Sequence, residues 1–438
     1  MRTLIKNGRV IDPGNLDGLM DILIEDEKIA AITAVPPDGS RQGASVDEPD
    51  PSRPIDRIID ASGKVVAPGL IDMHVHLREP GFEYKETIES GCLAAAAGGF
   101  TAVCTMPNTH PVNDNSQVTR FILRKAEMAA TAQVYPIAAV SINRRGESLC
   151  EFGDLKEAGA VALSDDGGPV VNSELLRRAL EYAKLFQLPI ISHCEDLYLS
   201  GSGVMNEGVV ATRLGLAGIP NAAESIITMR DIALCELTES PLHIAHVSTA
   251  ESVRVISEAK ARGLPVTAET APHYFLLTEE AVEAYNTNAK MNPPLRSARD
   301  RDAILEALSD GTIDVIATDH APQTSIEKDT EFDMAENGII GLETSLALSL
   351  KLVEKGVLSL TALIEKMSKN PGRIIHRENC IRIGAIANIT IIDTDQDHVI
   401  DAKRFKSLSR NTPFDRWHVK GKAVLTMVKG KVVFEDLQ

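Results

Sequence analysis

The sequence predicts an α/β fold: a (β/α)8 TIM-like barrel with a small β-sandwich formed from both termini. Three observations predict it. Short apolar runs alternate with segments of helical spacing through the middle of the chain, the runs number eight, and both ends carry hairpin signals instead. Strands separated by helices pair in parallel, and eight of them favour a closed barrel over an open sheet. A chain of 438 residues is long enough for one such barrel plus an accessory module.

In order along the chain, 4–11 and 21–29 read as strands with turn signals between short apolar runs. A stretch rich in Pro, Asp and Ser over 36–57 reads as a surface loop. Barrel strands follow at 70–77, 101–105, 134–140, 160–163, 189–192, 242–247, 266–270 and 314–318. Helical spacing fills 84–97, 116–130, 173–187, 222–237, 250–262 and 299–309, several with Ser or Asn at the cap, and 342–353 covers the last strand. The far end returns to β structure at 387–393 and 423–434, around the Lys429-Gly430-Lys431 turn. Neither end has enough strands to bury a core alone, so one sandwich is built from both. The expected boundaries are 1–66 and 375–438 for its two parts and 67–374 for the barrel.

Bulk composition excludes several classes of function. A formal net charge of -17 argues against a chain that neutralises phosphate backbones, so nucleic acid is not an expected partner. The opening residues have no long apolar core behind their charge, and the longest apolar stretch, 92–106, is too short to span a bilayer. The expectation is a cytoplasmic protein with no membrane partner. Six cysteines (Cys92, Cys104, Cys150, Cys194, Cys235 and Cys380) are scattered without a C-x-x-C pair, as for free thiols in a reducing compartment.

Chemistry concentrates where the apolar runs end. His74 and His76 are one residue apart, so on a strand they share a face, and Arg78 continues it. Asp165 and Asp166 close the fourth run. Neighbours on a strand face opposite ways, so only one of them points inward, and both also suit the turn before Gly167-Gly168-Pro169; these residues alone leave the pair undecided. His193 closes the fifth run and His246 the sixth; His243 lies on the opposite face from His246, so at most one is inward, and the tip favours His246. Asp319 follows the eighth run. A carboxylate there that touches a metal and its water can also carry a proton, although pairing with Arg296 is the structural alternative. Four His and two Asp suit a binuclear site of nitrogen and oxygen ligands, with zinc the expected metal at one or two ions per chain.

Asp72-Met73-His74-Val75-His76-Leu77-Arg78-Glu79-Pro80-Gly81 resembles the signature of the amidohydrolase superfamily, and of the dihydroorotase family in particular. So do Thr105-Met106-Pro107-Asn108-Thr109, Ile244-Ala245-His246-Val247-Ser248-Thr249, Asn292-Pro293-Pro294-Leu295-Arg296, Thr318-Asp319-His320-Ala321-Pro322 and Asn411-Thr412-Pro413-Phe414. The likeness covers nearly the whole chain outside 36–57. Most cyclic amidases of the superfamily bridge two metals with a carboxylated lysine on the fourth strand. This sequence has Asp165-Asp166 there, as in long bacterial dihydroorotases, and the resemblance selects Asp166. It implies one metal at His74, His76 and Asp319, a second at His193 and His246, and Asp166 between them.

The implied reaction is the reversible cyclisation of N-carbamoyl-L-aspartate to L-dihydroorotate in pyrimidine synthesis. Asp319 is the implied proton carrier, and Arg78, Asn108 and Asn292 are the implied holders of the substrate carboxylate. The chain departs from the family at Gln323, where a substrate-contacting His is usual, and at Glu336-Asn337-Gly338, where Pro-Phe-Gly is common. Gln323 can still bond substrate but cannot become cationic, and 323–338 is expected to be mobile or ordered by a partner. A homo-oligomer is expected, with an aspartate transcarbamoylase as a candidate partner. The alternatives are another cyclic amidohydrolase and a non-catalytic subunit of a transcarbamoylase assembly.

Overall fold

The computed structural model describes residues 1–35 and 54–437. The loop expected over 36–57 therefore lies outside the described residues except for its last four positions, of which Arg57 opens a strand. At the N-terminal end, β1 (Arg2–Asp12), β2 (Leu16–Glu25) and β3 (Lys28–Ala34) form an antiparallel meander. β4 (Arg57–Asp60) and β5 (Val65–Pro68) then run parallel to β1 along its other edge.

After a single residue, Gly69, the chain enters the barrel. A Cβ there would lie 2.1 Å from the Thr101 hydroxyl oxygen, so only glycine fits. The barrel strands are β6 (Leu70–Val75), β7 (Phe100–Thr105), β8 (Gln133–Ala138), β9 (Ala162–Leu163) and β10 (Ile190–Ser192). A small side pair, β11 (Met205–Asn206) and β12 (Gly218–Ile219), interrupts the series, which resumes with β13 (Leu242–Ile244), β14 (Val266–Thr270) and β15 (Val315–Ile316). All eight expected strands are present, parallel and paired in sequence order from β6 to β15. The circle closes where Val75 bridges His320 and the His76 amide donates to the His320 carbonyl at 2.8 Å.

Alternation along the strands sorts two layers. Met73, Cys104, Ile137, Ile191, Ala245 and Val315 belong to a small cluster inside the barrel. Their neighbours Val103, Ile190, Ile244 and Ile316 belong to the main core shared with the helices. Six of the expected helices appear at Ser116–Ala129, Ser173–Lys184, Asn221–Thr238, Ala250–Ala261, Ala298–Asp310 and Ser345–Glu354. The one expected from residue 84 begins only at Ile88, because Thr87 and Ser90 form a capping box that sets its first turn. A short helix, Phe152–Ala158, was not anticipated; it is a single amphipathic stretch of seven residues between β8 and β9.

β16 (Ile389–Val399), β17 (His418–Val428) and β18 (Lys431–Glu435) complete the terminal sheet, in the order β18-β17-β16-β5-β1-β2-β3. Strands from the two ends thus make one hydrogen-bonded sheet, and it curls so that Lys28 bridges Ile386 on the far side. Ile5, Ile22, Ile24, Ile59, Ile389 and Leu425 fill the resulting core. The sheet is fastened to the barrel by Thr390, whose hydroxyl donates to Gly99 O at 2.6 Å, and by Thr426, which donates to Ala96 O at 2.7 Å. Among the described residues no helix is long and apolar enough to cross a membrane.

Candidate metal centre

The residues singled out at the strand ends converge in one cavity of about 210 Å³, lined by His76, Arg78, Asn108, Asp166, His193, His246, Asn292, Asp319 and Gln323 among others. His74 sits beneath it, fully buried. Most of these side chains lie one to three residues beyond a strand, where the backbone leaves the pleat. Arg78, His246 and Asp319 all have positive φ, at 64°, 32° and 49°. Left-handed backbone at a non-glycine residue is costly and is found where function re-aims a side chain.

This departure from the pleat corrects one expectation. His243 and His246 were expected on opposite faces with at most one inward, yet both are. β13 stops at Ile244, and the turn at His246 breaks the period-two count, so His246 Nε2 faces Asp166 Oδ1 at 3.4 Å. His243, still on the strand, points into the barrel below and meets Glu269 Oε2 at 3.2 Å.

Asp166 occupies the centre. Its Oδ2 faces His74 Nε2 at 3.4 Å and His76 Nε2 at 3.5 Å, while Oδ1 faces His193 Nδ1 at 3.5 Å and His246 Nε2 at 3.4 Å. Asp319 Oδ1 approaches His76 Nε2 at 3.2 Å and His74 Nε2 at 3.6 Å. Asp165 points the other way: it accepts from the Val140 and Ser141 amides at 2.9 and 3.0 Å and from the Ser141 hydroxyl, so it ties down the preceding loop.

The electrostatics show what such a cluster attracts. Burial opposes a charged His74, but Asp166 and Glu269 outweigh it and raise its pKa. Burial likewise opposes charge on His193, yet Asp166 and Glu195 lift it to about 9. Asp166 is held well below the usual carboxylate range: burial alone would raise it, and His74, His193 and His246 overcome that. Asp319 is lowered in the same way, against burial, chiefly by His76 and His74. The two carboxylates therefore stay anionic and the pocket favours added positive charge.

A divalent metal fits this donor set. His74, His76 and Asp319 each offer one ligand atom within 4.8 Å of the others, and so do His74, Asp166 and His246. The buried His74 Nε2 has no hydrogen-bond partner, as expected of an atom kept for a metal. The non-ligating ring nitrogens are held from behind: His74 Nδ1 by Glu269 at 2.6 Å, His76 Nδ1 by Asn108 Oδ1 at 2.8 Å, and His193 Nε2 by Glu195 Oε2 at 3.0 Å. Such partners fix the tautomer and ring orientation of a ligand.

Glu269 and Glu195 were missed by sequence reasoning, and His243 was set aside in favour of His246. Glu269 had one available signal, a charged residue inside an otherwise uncharged strand. Asn292 donates to Glu195 Oε2 at 3.0 Å, and Arg78 Nε donates to Pro322 O at 3.1 Å, which sets both at the cavity wall. Gln323 lines the cavity too, but its amide is engaged with Lys85 and Asn337.

The segment 323–338 is fastened at many points. Asn411 Nδ2 donates to Ala321 O and Gly338 O, each at 3.0 Å, and so staples the two ends together. Gly338, at φ 115°, has no room for a Cβ, which would meet Ala321 Cβ at 2.6 Å. The Lys328 ammonium donates to the carbonyls of Thr287, Lys290 and Glu336, and the Lys290 ammonium to those of Asp333 and Ala335.

Comparison with known proteins points one way. Residues 63–252 match the family described as Dihydro-orotase-like. The chain is 55% identical to the dihydroorotase of Desulforapulum autotrophicum over 98% of each chain, and 56% identical to that of Geobacter metallireducens over 99% of this chain and 100% of the relative. Among solved structures, an L-hydantoinase (dihydropyrimidinase) from Arthrobacter aurescens superposes with a TM-score of 0.86 at 28% identity, covering 100% of this chain and 96% of its own. A D-hydantoinase (dihydropyrimidinase) from Thermus sp. reaches 0.82 at 25% identity over 100% and 96%. Near-full-length identity above half, on a barrel shared with cyclic amidases, places the chain in the dihydroorotase family.

Proposed function

We propose that this cavity carries out the reversible cyclisation of N-carbamoyl-L-aspartate to L-dihydroorotate, a step of pyrimidine biosynthesis, with the following division of labour. His74, His76 and Asp319 hold one zinc ion, His193 and His246 hold a second, and Asp166 joins them. The observation that carries this reading is the placement of Asp166, with one carboxylate oxygen facing each histidine pair. Bound metal supplies Lewis acidity toward the ring amide carbonyl and makes water acidic enough to react near neutral pH.

The chain's own groups do the rest. In the hydrolytic direction water adds to the ring carbonyl carbon, the carbon–nitrogen bond breaks, and Asp319 passes the water's proton to the departing nitrogen. Ring closure runs the same path backwards, so Asp319 then takes a proton from the carbamoyl nitrogen. Arg78, Asn108 and Asn292 hold the substrate's α-carboxylate, and a cavity of about 210 Å³ admits a small metabolite of this size. Buried carboxylates that stay ionised keep the proton carrier in its basic form.

The same reading places the enzyme in the cytoplasm, in keeping with six free cysteines. It also carries the expectation of a homo-oligomer and of an aspartate transcarbamoylase partner, which mass measurement of the purified chain with and without that enzyme tests. The role of Asp319 is tested by Asp319→Ala. Turnover is expected to fall by a factor of about 10³, in the range for losing a general acid-base group, with the circular dichroism spectrum unchanged. Undiminished turnover would remove the assignment.

A further inference from the structure

The Gln323 side chain stands in the wall between two cavities. It lines the cavity of about 210 Å³ at the metal centre and an outer one of about 620 Å³ bordered by Tyr84, Thr287, Lys328 and Arg410. It is buried, and both ends of its amide are used. Oε1 accepts from Lys85 Nζ at 2.7 Å, and Nε2 donates to Asn337 O at 2.7 Å. An ammonium can only donate and a carbonyl only accept, so these partners fix the amide's orientation. Lys85 is itself held by Glu327 at 2.7 Å, four residues farther along the same segment. The Gln323 backbone amide is bound by Asn411 Oδ1 at 3.1 Å, so the side chain has little freedom to swing toward a ligand.

We infer that Gln323 is a positioning residue rather than a substrate contact: with Lys85 it ties the start of the 323–338 segment to Asn337 and fixes that part of the cavity wall. The inference rests on the proposed function only for the identity of the substrate. The ends and outer side of the segment have their own anchors in Asn411, Lys328 and Lys290, so losing the Gln323 tie loosens the cavity side without unfolding the segment. The charge-assisted arm from Lys85 is the stronger of the two. Removing either Lys85 or Gln323 breaks that arm, so their effects overlap instead of adding.

The experiment is a double-mutant cycle on the full chain with Lys85→Met and Gln323→Met, which keep side-chain volume and remove polarity. Two quantities are read: backbone hydrogen exchange over 324–338 without substrate, and KM and kcat for dihydroorotate. Each single variant is expected to exchange about tenfold faster over that segment and to raise KM about tenfold with kcat within about threefold, the effect of one lost charge-assisted bond. The double variant should be no worse than the poorer single one. Gln323→Glu keeps a partner for Lys85 but has no hydrogen to give Asn337, so faster exchange should be confined to 336–338; it also serves if a methionine variant fails to fold. Unchanged exchange in Gln323→Met alongside a raised KM, or strictly additive effects, would overturn the inference and make Gln323 a direct substrate contact. The exchange arm needs no turnover, so a protein inactive on dihydroorotate would refute the proposed function and leave this test readable.

Discussion

Glu269 is the residue on which the metal centre leans most heavily without touching the cavity. Fully buried, it bonds His74 Nδ1 with one oxygen and His243 Nε2 with the other, while His243 Nδ1 meets Thr267 Oγ1 at 2.8 Å. That chain fixes which nitrogen of His74 faces Asp166. Glu269→Gln keeps the shape but removes the charge, and metal affinity measured by competition with a chelator is expected to weaken by a factor of about 10 to 100. Affinity equal to that of the unaltered protein would show the pair to be structural only. The histidines and aspartates that converge on the cavity were singled out in the sequence because they lie at or just past the ends of apolar runs, His74 alone lying inside its strand. The roles of their supports were not legible: Glu269, Glu195 and Asn108 act through partners distant in sequence, and nothing in a single chain marks which carboxylate sits behind which histidine. Between Asp165 and Asp166 local pattern gave no decision either, since β9 is only two residues long and both follow it.

At the scale of elements, the eight strands and most helices follow from periodicity, whereas the geometry at their ends does not. Parity counting placed His243 and His246 on opposite faces; the left-handed turn at His246 defeated it, and no sequence pattern announces such a turn at a histidine. Gly69 shows the reverse case, in which one small residue decides a junction. With Thr101 so close, Gly69→Ala is expected to destabilise the fold by about 2 kcal/mol in urea denaturation, through overpacking where β5 passes into β6. A midpoint unchanged from the parent would mean that Thr101 simply moves aside.

A second prediction concerns Glu343, which caps the 406–407 backbone by accepting from Lys406 N at 2.7 Å and Ser407 N at 3.1 Å. Burial raises its pKa to about 7, above the value of an exposed carboxyl. The folded state therefore binds this proton more tightly than the unfolded one, so stability from this group is full below about pH 4.5 and is lost as pH rises to about 7. The loss amounts to at most about 3 kcal/mol. Glu343→Gln is expected to flatten that slope between the two pH values, and an unaltered slope would contradict the assignment.

Across the whole molecule the barrel carries the site, and the connection between β16 and β17 reaches its wall through Asn411. The sequence predicted both modules, yet it led to the expectation that 323–338 is mobile or ordered by a partner. The structure supplies the order internally, through Asn411 from beyond the barrel and through buried lysines whose carbonyl partners are far apart in sequence. Ammonium-to-carbonyl anchors of this kind leave no sequence signature, because a lysine reads as surface. The central claim is that this architecture assembles a metal-dependent dihydroorotase around Asp166. Its most direct test is a titration of metal-stripped protein with zinc while dihydroorotate turnover and bound metal are measured together. The account predicts turnover that rises with occupancy and saturates at no more than two ions per chain. Fully loaded protein that acts on neither dihydroorotate nor carbamoyl aspartate, or that prefers a hydantoin, would contradict it.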